Sequence, residues 1–228
     1  KPAAKSTSPA AVPNDLVLHY SFDDEPTDAS TVRDRAGRHP LDLVGSKLIT
    51  QPNKKTGALA FDGKSSSASA GNATDLRLTG PLTISLWVRP ESAAGNGYLV
   101  SKHGWNIYLG TDLIPRFETR TAEDKAWDTL AAKQPLPPKS WSFVAVVFDT
   151  QAKHKRIYVD GKLSAESSRN DGAIGSAAGY PLEFGHYVAS KTQWFHGQMD
   201  EIRLEQRALS ADQIRQEFER QRKLVLTE

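Results

Sequence analysis

The chain has 228 residues, with 29 basic and 27 acidic side chains, a net charge of +2, 38% hydrophobic residues and no cysteine. This composition suits one soluble globular domain and excludes a disulfide scaffold, a thiolate nucleophile or a cysteine-ligated zinc site. The charge balance gives no case for a nucleic-acid partner, and no apolar run approaches the ~20 residues that a membrane span needs.

The opening "KPAAKSTSPAAVPN" lacks periodicity and is rich in Lys, Ala, Ser and Pro. It reads as a flexible linker over residues 1–14, ahead of one domain over 15–228. Starting at Lys1 without a methionine, the chain reads as a mature or trimmed product. Strand patterns follow. "LVLHYSF" sets Leu16, Leu18, Tyr20 and Phe22 on one face, with Val17, His19 and Ser21 on the other. "ALAFDG" continues the series, and "LTISLWVRP" sets Leu82, Ile84, Leu86 and Val88 against Thr83, Ser85, Trp87 and Arg89. "YLVSK", "NIYLG" and "RFETRT" are short strands, and the uniformly apolar "WSFVAVVFD" is one buried on both faces. "RIYVDGKLSAE" is a hairpin turning at Asp160-Gly161, a pair suited to a type I′ turn. "LEFGHY" and "HGQMDEIRLE" follow. One helix is expected at the C-terminus, opened by a Ser210/Gln213 capping box, with Ile214 and Phe218 on one face. A dozen or more short strands and one terminal helix predict an all-β antiparallel sandwich.

The ordered motifs "LVLHYSFDD", "VRDRAGRHPLDLVG", "TGALAFDGKSS", "GPLTISLWVRPES", "LVSKHGWNIYLG", "KSWSFVAVVFD", "RIYVDGKL", "LEFGHY" and "FHGQMDEIRLEQRALSADQI" resemble the laminin-G-like, concanavalin A-like jelly-roll family of secreted bacterial proteins. The resemblance runs from about Asp15 to Phe218. It implies a jelly-roll β-sandwich and a secreted, periplasmic or cell-surface location. The fold hosts lectins, carbohydrate-binding modules, adhesion domains and glycanases, so function must be read from the site.

Glucanases that resemble this fold carry Glu-x-Asp-x-Glu on one strand; here "EIRLE" has Arg203 between Glu201 and Glu205. Alternation puts the three on one face, with glutamate Cα atoms about 13 Å apart at ~3.3 Å per residue. A cation between two carboxylates keeps both ionised, whereas a general acid must hold its proton. The stretch therefore reads as a charged strand face. A non-catalytic glycan- or polysaccharide-binding module is the leading expectation, a protein-interaction or adhesion domain the second, and a divergent glycanase the third.

Asp200 is expected on the opposite face, with Ile202 and Leu204 and towards the core, where a carboxylate needs backbone N–H groups or a cation. The resemblance implies a structural calcium shared between this Asp200 and Asp23 or Asp24, just after the first strand; the alternative is a carboxylate capped by loop N–H groups. For a sugar, planar rings and polar side chains are needed. Trp87 and Trp141 lie in strand motifs and read as structural, leaving Trp105, Trp127 and Trp194 as candidate platforms. His103, Tyr187, Arg116 and Arg120 are candidate polar contacts on a concave face. Arg116 and Arg120 share strand parity and suit an acidic sugar. The six histidines show no HxH or HExxH spacing, which argues against zinc.

Overall fold

The computed structural model describes residues 14–50, 57–92, 95–121, 126–168, 172–175 and 178–226. The expected linker falls, except for Asn14, outside the described residues. Sixteen strands and one α-helix are present among them. The first half holds β1 (Leu16–Tyr20), β2 (Thr31–Val32), β3 (Leu41–Val44), β4 (Lys47–Thr50), β5 (Gly57–Asp62), β6 (Ser67–Ser69), β7 (Leu82–Pro90) and β8 (Gly97–Ser101). The second holds β9 (Trp105–Leu109), β10 (Pro115–Thr119), β11 (Asp128–Ala131), β12 (Ser142–Asp149), β13 (His154–Val159), β14 (Lys162–Ser167), β15 (Glu183–Phe184), β16 (His196–Glu205) and α1 (Ala211–Val225).

The strands form two antiparallel sheets. The first runs β14-β13-β12-β7-β16-β5-β4, with β1 also paired to β16; the second runs β11-β10-β9-β8-β15-β6-β3-β2. Their inner faces meet over one apolar core that includes Leu18, Tyr20, Leu86, Val88, Ile107, Phe117, Val146, Ile202 and Leu204. The architecture is the expected sandwich with a C-terminal helix.

The helix seals the outer face of the first sheet. Trp87, Phe143, Ala145 and Val147 alternate out of the central core and form a second cluster with Leu209, Ile214 and Val225. Phe218, one turn after Ile214, stacks on Trp87 with ring centroids 5.7 Å apart. Ser210 caps the helix reciprocally: its hydroxyl accepts from the Gln213 backbone at 3.3 Å, and the Gln213 side chain accepts from the Ser210 backbone at 2.9 Å. The hairpin turn holds Asp160 at φ 48° and Gly161 at φ 73°, the left-handed pair of a type I′ turn. A Cβ on Gly161 would lie 2.9 Å from the Phe218 ring, so this turn also sets how closely the helix approaches.

Two bulges shift the expected side-chain parity. In β16, Asp200 pairs with Trp87 and Arg203 with Ser85, so Glu201 and Ile202 together oppose the single residue Leu86. Glu201 adopts φ 49°, the left-handed conformation that glycine usually supplies at such a bulge. Asp200 therefore shares the outer face with its partner Trp87 instead of joining Ile202 and Leu204 in the core. In β1, a similar shift between Leu16 and Leu18 sends Val17 into the core while Leu16 pairs with Glu205.

Candidate ligand-binding face

The outer face of the second sheet is built by alternation across β8, β9 and β10. Ile107 pairs with Phe117 and both face the core. Their neighbours must then point outward: Tyr108 beside Arg116, and Asn106 beside Glu118. Tyr98 on β8 pairs with Tyr108 on β9, and their rings stack at 4.8 Å and 13°, close to the spacing of adjacent strands. Tyr187, which follows β15, stacks on Tyr98 at 4.6 Å and 25°. His103, in the β8–β9 turn, comes next at 6.4 Å and 24° from Tyr187, and lies 4.0 Å from Tyr180. Trp127 stands crosswise to His103 at 80°, with the Arg120 guanidinium 5.4 Å from its ring centre. The result is a run of rings across the strands, ending in an indole and a cation.

A buried polar layer lies beneath it. Glu118 is 8% exposed. It accepts from the Tyr98 hydroxyl at 3.1 Å and from Asn106 Nδ2 at 2.7 Å. Asn106 Oδ1 in turn accepts from the Ser101 hydroxyl at 2.9 Å and the Lys102 backbone at 3.3 Å. Burial raises the Glu118 carboxyl, against the pull of its two donors. Burial, then the Glu118 charge, raises the Tyr98 hydroxyl far above its ordinary range, so it stays a donor. Lys102, 1% exposed, donates to Asn72 Oδ1 at 2.8 Å and to the Tyr180 carbonyl at 2.6 Å. Asn72 donates onward to the Ala178 carbonyl at 2.5 Å, so the loop carrying Tyr180 is tied at two points. Burial, helped by Arg77, lowers the Lys102 ammonium to about 8. Burial and the Arg120 charge also lower the His103 imidazole, which favours its neutral form at pH 7.

Four of the expected residues gather here: His103, Trp127, Tyr187 and Arg120. Arg116 shares the face, but its guanidinium forks onto Asp112 with two bonds of 2.7 Å. Trp105 does not belong: it is 1% exposed and faces the core, because β9 alternates Trp105, Ile107 and Leu109 inward. Trp194 lies off the run; it stacks on His186 at 3.8 Å, and its indole N–H donates to the Lys191 carbonyl at 3.0 Å. Tyr98, Tyr108, Tyr180 and Glu118 complete the face and went unnoticed in the sequence. The polar-looking parity of "YLVSK" and "NIYLG" was the available signal for the two strand tyrosines.

The glutamate pair is closed off. Glu201 and Glu205 are 3% and 5% exposed, beneath α1. Glu201 accepts from His19 Nε2 at 2.9 Å and Gln221 Nε2 at 3.2 Å. Gln221 also accepts from the Trp87 indole at 3.0 Å. Arg203 bridges Glu205 and Glu217 at 3.3 and 3.1 Å. A polymer cannot reach this layer while the helix is docked.

The three acids expected to share a metal are engaged separately. Asp23 accepts from the Gly57 backbone at 3.2 Å, Asp24 pairs with Arg35 at 2.9 Å, and Asp200 accepts from the Glu201 backbone at 2.7 Å. Among the described residues no group of three or more His, Asp or Glu side chains is placed to hold an ion. Burial, followed by the Glu201 charge, raises the Asp23 carboxyl.

The family model described as the concanavalin A-like lectin/glucanases superfamily, of laminin-G type, matches residues 62–215, more than half of the chain. No curated protein sequence matches. Among solved structures, the binding domain of Paraclostridial Mosquitocidal Protein 1 superposes with a TM-score of 0.71 at 16% identity, covering 90% of this chain and 52% of that one. Domain 4 of AbnA, an extracellular arabinanase from Geobacillus stearothermophilus, solved with arabinotriose, gives 0.70 at 19% identity, covering 88% of this chain and 97% of that one. The botulinum neurotoxin type G receptor-binding domain gives 0.67 at 14%, covering 91% and 52%. The chain thus spans about half the length of the two toxin domains, and at these identities the likeness establishes the fold. No helix among the described residues is long and apolar enough to cross a membrane.

Proposed function

Because the chain belongs to the concanavalin A-like lectin/glucanases superfamily, we propose that it is a non-catalytic, extracellular carbohydrate-binding module whose glycan lies on the ring run of the second sheet. The carrying observation is that run itself: Tyr108, Tyr98, Tyr187, His103 and Trp127 in sequence across the strands, with Arg120 at its end. Tyr98, 5% exposed and covered on both faces by Tyr108 and Tyr187, braces the run, while the half-buried Tyr108, Tyr187, His103 and Trp127 supply apolar surface for a sugar and the bordering polar groups supply orientation. The burial of Glu201 and Glu205 under α1 supports a binding role over glycan cleavage. The arabinotriose-bound arabinanase domain, matched over nearly its full length, supports a glycan over a protein receptor.

A structural calcium ion, shared between Asp200 and Asp23 or Asp24, is proposed as a partner; burial first and then the Glu201 charge raise the Asp23 carboxyl, which a nearby cation would offset. It would stiffen the strand end, without entering the ring run. Its test is the melting temperature in calcium against chelator; identical values argue against the ion.

The function is tested by affinity electrophoresis and calorimetry against a polysaccharide panel, with Trp127→Ala and Tyr187→Ala beside the parent. Binding weakened at least tenfold in both variants is the expected result. Binding that survives both substitutions, or reducing ends released from a β-glucan, would overturn the reading. Absence of any glycan ligand would favour a protein-interaction domain instead.

A further inference from the structure

Resting on the glycan reading above, we infer that the ligand is an anionic glycan, with Arg120 holding its carboxylate or sulfate while a sugar ring lies against Trp127. The inference comes from the state of the described charged groups around the face. Arg116 is forked onto Asp112 and cannot serve a ligand without breaking that pair. Lys102 is fixed to Asn72 and the Tyr180 carbonyl. Glu118 lies below the rings, engaged by Tyr98 and Asn106. Asp128, next to Trp127, is paired to the fully buried Lys155 at 2.5 Å. Arg120 differs from all of these: among the described residues it has no carboxylate within ion-pair distance, and it rests on the Trp127 indole.

A guanidinium stacked on an indole keeps its charge and turns its fork of N–H donors sideways, in the geometry that pairs bidentately with a carboxylate or sulfate. Stacking also pre-orders the long side chain, which lowers the entropy cost of binding. Nearby charge agrees in sign: after burial, the Arg77 charge lowers the Lys102 ammonium and the Arg120 charge lowers the His103 imidazole. Among the described acids, Glu118 touches the ring run and is held beneath it by Tyr98 and Asn106. A neutral sugar would leave the Arg120 charge without a counterpart; an anionic one supplies it beside the apolar surface.

The test uses matched polymers: polygalacturonate against its methyl ester, and dextran sulfate against dextran. The parent chain is compared with Arg120→Gln, Arg120→Lys, Trp127→Ala and the distant control Arg33→Gln, at 25 and 250 mM NaCl. Melting curves confirm that each variant is folded. The expected result is at least tenfold tighter binding to one or both anionic members. That preference should vanish in Arg120→Gln, persist in part in Arg120→Lys, and survive in Arg33→Gln. Dependence on polygalacturonate alone assigns a carboxylate, and on dextran sulfate alone a sulfate. Equal binding to acidic and neutral members, weakened by Trp127→Ala but not by Arg120→Gln, would overturn this inference and leave the glycan reading standing. Weakening by Arg33→Gln as much as by Arg120→Gln would reduce it to general polyelectrolyte attraction. No binding to either anionic polymer, with a neutral ligand found in the wider polysaccharide panel, would overturn this inference alone; no ligand in that panel either would overturn both.

Discussion

Replacing Glu201 by alanine and, in parallel, by glycine separates the two jobs this residue performs. Its carboxylate accepts from His19 at 2.9 Å and Gln221 at 3.2 Å in a layer where Glu201 is 3% exposed. Gln221 keeps a second acceptor in Glu217 at 2.8 Å, so truncation strands chiefly the His19 ring nitrogen. A buried polar group left without its partner costs about 1–3 kcal/mol, which sets the alanine variant near 2 kcal/mol destabilised. The backbone at φ 49° adds a second effect. A residue with a Cβ pays roughly 1–2 kcal/mol in the left-handed region, and glycine avoids this. Glycine should therefore be the milder substitution, by about 1 kcal/mol. In a regular strand the order is the reverse, with glycine worse by ~0.5–1 kcal/mol. Urea unfolding midpoints of the three proteins, with a shared m-value, provide the comparison. A glycine variant less stable than the alanine variant would refute the left-handed bulge, and with it the parity that places Asp200 on the outer face.

Other expectations follow from the same geometry. Gly161→Ala combines φ 73° with a 2.9 Å approach to Phe218, and should cost about 2–3 kcal/mol, read as a lower urea midpoint and a weakened near-ultraviolet dichroism from Trp87. Trp105→Ala should cost about 3–5 kcal/mol from a fully buried site, yet leave the glycan Kd within ~twofold when measured well below the melting point; Trp127→Ala should show the reverse pattern. Lys102 binds its proton up to about 8 in the fold and up to 10.5 when unfolded. Between those values the unfolded chain binds more protons, so this residue makes stability rise with pH across that window. Lys102→Met should flatten the rise, and parallel stability profiles for parent and variant would show that Lys102 contributes none of it.

The fold was largely legible because its signals are local. Alternation marked the long strands, Asp160-Gly161 marked the hairpin, and Ser210 with Gln213 marked the helix start. The short β2, β3, β4, β6 and β11 escape the sequence pattern, since runs of two to four residues carry too little periodicity to register. The bulges at Val17 and Glu201 were invisible for a different reason: no glycine stands at either position, and counting parity through them misassigned Asp200. The binding face was half legible. Trp127 in a charged stretch, Arg120 by its strand parity, and His103 and Tyr187 as polar contacts were legible, but Trp105 shows that an indole after a turn can head straight into a core strand. Tyr98 and Tyr108 become a pair only through the β8–β9 register, which no single segment encodes.

The helix over the first sheet has a practical consequence for handling the molecule. It places exposed side chains such as Arg215, 65% accessible, on the side of the sandwich away from the ring run. The 228 residues contain no cysteine. A thiol introduced at position 215 would thus be chemically unique and point away from the ligand. Coupled through it to a sensor surface or a fluorophore, every copy would present the same face to solution, and the attachment would act on α1 while the rings stay untouched.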